Sequence, residues 1–330
     1  MTERWTPRKI LDWAVADFTK RGIESPRVDA ECLIAEGLNK SRVELYLDLD
    51  RPLNEDERAR IRALVERRRR HEPVAYILGH RDFYKARFKV GPGVLIPRPD
   101  TEIVVEEALR RLIVSPPEHR GEAERARLTE PAPSKEMELT FDSAPDAPLE
   151  PSSVGDIRIL DLCAGSGAIG LSILLERPNA RAVLTDLSAE ALAIARENAE
   201  ALGLMERVEF YQGDLFEPIP TGMDFDLIVS NPPYIPAGEL AGLAPDIRDF
   251  EPRLALDGGD DGLDLHRRIA EEAARFLKPG GSLIVEGGAG QAAEIQALHR
   301  AHLEGAEPKI LRDYGGIERV VSSTLPRHTA

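Results

Sequence analysis

From residue 156 onward, short apolar runs of β character alternate with stretches of helical periodicity, and no other feature limits the chain's choices as much. The runs fall at 158–163, 182–187, 208–212, 226–230 and 282–286, with helical patterns at 189–202 and 264–277 between them. Such alternation predicts a largely parallel sheet covered by helices on both faces. With 330 residues, the chain has length for about two domains. A chain of this size buries enough surface to fold without disulfide or metal staples.

The upstream part reads differently. In 1–80, Thr6-Pro7 and Ser25-Pro26 are helix starts, and Ser41 with Glu44 and Asn54 with Glu57 have capping-box spacing. Ile10, Leu11, Ala14, Val15 and Phe18 share one helical face. A small helical domain is expected there. It ends in four arginines, 67–70, which fit either a solvated helix end favoured by the helix dipole or a basic patch facing a partner. Residues 81–114 are expected to bridge the two domains. The β-type stretches at 83–90 and 94–96, broken by Gly91-Pro92-Gly93, suggest a hairpin, and helical spacing resumes from 101. Residues 115–155 are rich in proline and acid and poor in aliphatics, the composition of a disordered insertion. Residues 156–330 form the expected catalytic domain.

The first strand of that domain runs into Asp161-Leu-Cys-Ala-Gly-Ser-Gly-Ala-Ile-Gly170. Gly165, Gly167 and Gly170 have G-x-G-x-x-G spacing. This is a turn whose backbone approaches a ligand closely and whose following helix offers free N–H groups. Asp186, 21 residues after Gly165 at the end of the next strand, is placed to take ribose hydroxyls. Asp214, after the third strand, is a second acid at the same edge. The turn predicts an adenosine-bearing ligand and does not say which one.

The fourth strand leads into Asn231-Pro232-Pro233-Tyr234. Two prolines make a rigid corner, and the tyrosine offers a planar face. The Asn231 side-chain oxygen and the Pro232 carbonyl are both acceptors. Together they suit a planar NH₂ group, hold its hydrogens and leave its π face open to an electrophile. Positioning is then the main catalytic contribution, up to about 7–11 kcal/mol. His266, in a helical stretch, reads as structural or solvated.

These residues resemble the class I S-adenosylmethionine-dependent methyltransferases, and the combination is similar to one family in particular, the peptide-chain release factor glutamine N5-methyltransferases. Three further segments carry the likeness: Leu95-Ile-Pro-Arg-Pro-Asp-Thr-Glu102; Phe250-Glu251-Pro252 with Ala255-Leu256-Asp257-Gly258-Gly259; and Arg312-Asp313-Tyr314-Gly315 with Glu318-Arg319-Val320. The resemblance covers nearly the whole chain outside 115–155. It implies an α/β, Rossmann-like class I methyltransferase sheet with a small N-terminal helical domain and a bridging β-hairpin. It also implies methyl transfer from S-adenosylmethionine to the glutamine of a Gly-Gly-Gln loop in a translation release factor. By that likeness Cys163, Ala164, Gly165, Ser166 and Gly167 surround the methionine part of the cofactor, Asp186 takes its ribose, and Asp214 and Leu215 lie by the adenine. Asn231 touches cofactor and substrate amide, Pro232, Pro233 and Tyr234 complete the glutamine pocket, and the helical domain docks the release factor. Asn231, Pro232 and Tyr234 are the catalytic candidates. Two positions depart from the family: Cys163-Ala164 stand where glycine and threonine are usual, and Leu215 where some members carry an aromatic.

The net charge is −15. Residues 1–80 are near neutral and the acidic excess lies beyond them. A broad nucleic-acid grip needs the opposite sign, which weighs against an amino-methyltransferase acting on a nucleic-acid base, the main rival. A nicotinamide dehydrogenase rests only on the glycine spacing and Asp186, and a non-catalytic cofactor-binding scaffold has no support beyond them. Two distant cysteines, Cys32 and Cys163, form neither a disulfide framework nor a metal knuckle. No metal, no membrane contact and a cytoplasmic setting are the expectations.

Overall fold

The computed structural model describes residues 4–112 and 157–327; the insertion expected at 115–155 lies outside the described residues. The chain begins with five helices: α1 (Pro7–Lys20), α2 (Pro26–Gly37), α3 (Arg42–Leu47), α4 (Glu55–Arg68) and α5 (Val74–Leu78). The start signals operate as chemistry. Thr6 Oγ1 accepts from the Lys9 N–H, and Ser41 with Glu44 and Asn54 with Glu57 form complete capping boxes. Ser25 begins α2 without a side-chain cap bond. Leu11, Phe18, Leu33, Ile34, Leu45 and Ile61 are buried in a core enclosed by these helices.

The arginine run is more closely paired than a solvated helix end. Arg68 is only 4% exposed. It donates to Asp29 of α2 at 2.7 Å, to the His71 and Glu72 carbonyls, and to Asp246 at 3.3 Å, far along the chain. Arg67 pairs with Glu72, and Arg69 with Asp17 and Glu66 while lying over the Trp13 ring. A guanidinium presents five donors in a fixed fork, and here the forks point inward along the molecule. Arg70 alone of the four is exposed.

A hairpin follows, formed by β1 (His80–Phe83) and β2 (Ala86–Lys89). It turns at Tyr84-Lys85, not at Gly91-Pro92-Gly93, and 94–96 is not a strand. Tyr84 takes a left-handed conformation (φ 52) that the residue type does not advertise. Tertiary partners hold it: the Tyr84 N–H donates to Glu102, and Lys85 pairs with Glu176. The Gly-Pro-Gly segment instead starts a loop that turns back toward the sheet. The Tyr76 hydroxyl donates to the Val94 carbonyl, and Ile96, Val90 and Ala191 pack beside it.

Helix α6 (Glu102–Arg111) precedes the main sheet. Its strands are β3 (Ile157–Leu162), β4 (Ala180–Asp186), β5 (Val208–Gln212), β6 (Phe225–Ser230), β7 (Leu277–Glu286), β8 (Lys309–Arg312) and β9 (Glu318–Thr324). The order is β5-β4-β3-β6-β7-β9-β8. Five strands run parallel; β9 is antiparallel to both β7 and β8. The helices between them are α7 (Ala168–Glu176), α8 (Ala189–Ala201), α9 (Pro245–Arg248), α10 (Asp264–Ala273) and α11 (Ala292–His302). Helix α10 stops earlier than its periodicity suggests, because Leu277 already begins β7 and the Phe276 carbonyl accepts from the Phe225 N–H. One core joins α6, α7 and α8 to one sheet face; a second joins α10 and α11 to the other. This is the α/β architecture expected, a Rossmann-like sheet with an N-terminal helical region.

The chain runs outward from β3 through β4 to β5, then returns to lay β6 on the other side of β3. That reversal is a topological switch point, where open α/β sheets bind ligands at the carboxyl ends of their strands. Leu162 and Ser230 pair across it, and Ser230 Oγ donates to the Leu162 carbonyl at 2.8 Å. Residues 163 and 231 therefore leave the sheet side by side.

Candidate active site

A cavity of about 830 Å³ opens at this switch point, within the range of small-molecule sites. One wall is the glycine turn. Cys163, Gly165 and Gly167 all have positive φ (56°, 55° and 77°). A Cβ added to Gly165 would meet no atom within 4 Å, so its backbone faces open space in the cavity. Cys163, Ala164, Gly165 and Ser166 line the cavity. Gly167 lies behind them as the N-cap of α7. The left-handed conformation at Cys163, where glycine is the usual choice, costs roughly 1–2 kcal/mol. Burial pushes its thiol up, and the neighbouring carboxylates Asp186 and Asp161 push the same way. It is a neutral filler, not a nucleophile.

Two carboxylates brace the turn. Asp161, fully buried at the end of β3, accepts from the Gly170 N–H at 2.8 Å, while its Oδ1 has no partner among the described residues. Burial pushes its carboxyl up to about 7. Asp186 accepts from Gly165 N–H at 2.8 Å and Ser188 N–H at 2.9 Å. A carboxylate offers about four lone-pair sites, so Asp186, on the cavity wall, keeps acceptor capacity for a diol. Asn198 of α8 ties the hairpin to the turn: its amide donates to the Ser166 and Lys89 carbonyls and accepts from the Lys89 N–H.

Asp214 and Leu215 form the far end of the cavity. Asp214 pairs with Arg268 of α10 at 2.9 Å. Leu215 is buried in the second core with φ 47. This end is acidic and apolar by turns, the mixture that a nucleoside requires.

The adjoining wall holds the tetrad. Asn231 and Pro233 line the cavity; Pro232 and Tyr234 are not on its lining. Asn231 Nδ2 donates to Thr101 Oγ1 at 3.2 Å, across 130 residues of sequence. Glu286, the last residue of β7, lies against both. It is 1% exposed, and burial pushes its carboxyl up to about 7, with hydrogen bonding from Thr101 and Asn231 and the Arg319 charge pulling the other way. Burial, then the Glu286 charge, push the Tyr234 phenol up to about 12. The Tyr234 carbonyl accepts from Gln291 Nε2 at 3.0 Å. A Cβ on Gly262 would lie 2.2 Å from that carbonyl, so the loop approaches this closely only as glycine.

The loop after the tetrad closes this wall. Glu251, buried, accepts from the Ile96 N–H at 3.2 Å and from Arg98. Asp313 accepts from the Ile317 N–H and from Arg319 Nε, which squares the last hairpin behind Glu286. Glu286 and Gln291 were not singled out from the sequence, and Thr101 and Arg319 stood in segments that carried the resemblance without a role of their own. Glu286 carried a usable signal, a lone acid at the carboxyl end of an otherwise apolar strand, the same signal that identified Asp186. His266 is buried, its Nε2 against the Glu286 carbonyl and its pKa lowered to about 4 by burial, a structural residue as read. Among the described residues no group of three or more His, Cys, Asp or Glu is placed to hold a metal ion, and no helix is long and apolar enough to cross a membrane.

Comparison with known proteins converges on one family. Residues 9–79 match the family described as PrmC N-terminal domain, and residues 149–242 the family described as methyltransferase small domain. A release factor glutamine methyltransferase of Geobacter sulfurreducens is 40% identical over 98% of this chain and 100% of its own. One from Rhodopirellula baltica is 35% identical over 96% of both chains. A crystal structure of protein-(glutamine-N5) methyltransferase (release factor-specific) from Alicyclobacillus acidocaldarius is 28% identical, covering 72% of this chain and 99% of that one at a TM-score of 0.38. On the strength of the near full-length relatives, the chain belongs to the release factor glutamine methyltransferase family.

Proposed function

We infer that the chain is an S-adenosylmethionine-dependent protein-glutamine N5-methyltransferase whose substrate is the glutamine of the Gly-Gly-Gln motif in translation release factors. The observation that carries this reading is the placement of Asn231, on the cavity wall beside the glycine turn with its amide nitrogen engaged by Thr101. The side-chain oxygen is then the group left to meet an incoming N–H.

The cavity's donor set fits the cofactor. Backbone from Cys163 through Gly167 surrounds the methionine part, Asp186 accepts from the ribose hydroxyls, and Asp214 with Leu215 meets the adenine. S-adenosylmethionine, when bound, supplies a methyl carbon made electrophilic by a cationic sulfur. Asn231 Oδ1 and the Pro232 carbonyl accept the two N–H groups of the glutamine amide, and this orients the weakly nucleophilic nitrogen. Both hydrogen bonds strengthen as that nitrogen becomes partly positive, so they stabilise the transition state more than the ground state. The nitrogen would gain the methyl as the S–CH₃ bond breaks to leave a neutral thioether, and would then give up one proton to water. Pro233 lines the pocket and Tyr234 backs it. A phenol held near 12 stays neutral at physiological pH, so Tyr234 is not a base.

The five-helix unit docks the release factor, the 81–114 segment joins it to the catalytic domain, and the enzyme works in the cytoplasm, without direct nucleic-acid or membrane contact. Incubation with methyl-labelled S-adenosylmethionine and release factor, total RNA or DNA tests the reading. Label is expected on the release-factor glutamine. Label confined to nucleic acid would overturn it in favour of a base methyltransferase.

A further inference from the structure

An asparagine amide has two nearly isosteric orientations. In one, Asn231 offers an oxygen to the substrate NH₂; in the other it offers an NH₂, donor against donor. Something must choose between them. The Thr101 hydroxyl, 3.2 Å from Asn231 Nδ2, is not sufficient, because a hydroxyl both donates and accepts. It would serve the flipped amide equally well. Glu286 breaks the tie. An ionised carboxylate only accepts, so one beside Thr101 would draw the hydroxyl proton toward itself and leave the Thr101 oxygen to accept from Asn231.

We propose that Thr101 and Glu286 are positioning residues for methyl transfer, a buried relay that sets the polarity of the Asn231 amide. The proposal rests on the functional reading above and adds how the acceptor oxygen is held in place. Three observations support it. The hydroxyl and the carboxylate are both buried, at 4% and 1% exposure. Ser230 pairs with Val285 across β6 and β7, so Asn231 and Glu286 leave the sheet as neighbours, and Thr101 and Asn231 both pull the Glu286 carboxyl toward its charged form. Its second oxygen, Oε2, has no hydrogen-bond partner among the described residues. A buried carboxylate with an orphaned oxygen is a poor stabilising device, and its place beside the tetrad gives it a different use.

The relay depends on ionisation. The charged and titratable groups facing Glu286 are Arg319 and Asp100, with Tyr234 also close and His266 against its backbone carbonyl. Once protonated, Glu286 becomes a donor and the Thr101 proton is free to turn to Asn231. Turnover is therefore expected to rise with pH through the region near 7, as the carboxylate forms.

The test uses full-length enzyme and purified release factor. Glu286→Gln is expected to lower kcat roughly 10²-fold, the scale of removing one preorganised hydrogen-bonding group. KM for the release factor and affinity for S-adenosylhomocysteine, measured by calorimetry, should be unchanged, and the pH dependence near 7 should vanish. Thr101→Val should cost about tenfold in kcat and Thr101→Ser should restore it. The double variant should lose no more than Glu286→Gln alone, because the residues act in series. Wild-type enzyme that binds the homocysteine product but leaves the release factor unlabelled would sink the functional reading. Wild-type labelling with both Glu286→Gln and Thr101→Val at full kcat would overturn the relay alone, as would a fall in cofactor affinity matching the fall in kcat.

Discussion

The two walls of the cavity are built in opposite ways. The glycine wall comes from one short stretch of chain, Cys163 to Gly170, and its working surface is backbone. Its braces, Asp161 and Asp186, bind N–H groups within 21 residues of themselves. The tetrad wall is made of side chains whose partners are far away: Asn231 with Thr101, Glu251 with Ile96 and Arg98, Gln291 with Tyr234. A backbone cradle grips whatever has the right shape and polarity, and its geometry is fixed once the strand and helix form. A wall of remote side chains exists only after the segment 96–101, the loop that carries Glu251 and the start of α11 have all docked. The first suits a cofactor shared by many reactions; the second suits a choice of acceptor.

If the division is real, damage to each wall should have its own kinetic signature. The largest effect is expected from Asn231→Ala, a loss of 10³-fold or about that in kcat, with S-adenosylhomocysteine binding largely preserved. Parallel loss of cofactor affinity in calorimetry would show that the walls are not separable. Asp186→Asn should do the reverse and weaken cofactor binding about tenfold, the scale of one charge-assisted hydrogen bond, while kcat at saturating cofactor changes little. An equal fall in kcat would merge the two walls.

A third effect, on folding stability and not on turnover, concerns the glycine wall. An unfolded Asp161 releases its proton near the ordinary 3.8, the folded one near 7. Between those values the folded state binds the proton more tightly. The stability this gives is complete below about 3.8 and lost as pH rises through about 7. Asp161→Asn carries no such group. Wild type minus variant should therefore fall as pH rises from roughly 4 toward 7. The buried histidines His266 and His299 titrate in both chains and cancel. Denaturant melts at pH 5, 6 and 7 check the slope, and a difference independent of pH would mean that Asp161 is not the proton's seat.

The same division explains what was legible in the sequence. The glycine turn, Asp186 and the tetrad could be read because each is a run of neighbours or an acid at the end of a strand. The capping boxes in α3 and α4 are equally local. Thr101 could not be assigned a partner 130 residues away, although its segment stood out. The hairpin was misplaced because Gly91-Pro92-Gly93 is a louder turn signal than Tyr84-Lys85, whose left-handed tyrosine is held by Glu102. The arginines at 67–70 were read as surface because a run of like charges gives no hint of carboxylates arriving from α1, α2 and α9. In each case a contact made only in the folded molecule outweighed the local preference.

Arg68 has a practical consequence. One guanidinium is shared between α2 and α9, so the helical unit and the segment that follows the tetrad are wired to the same post. Transplanting these helices onto another methyltransferase to redirect it would bring the cation but not its far counter-ion. Such a chimera would need an acid engineered at the position matching Asp246 before the graft seats properly.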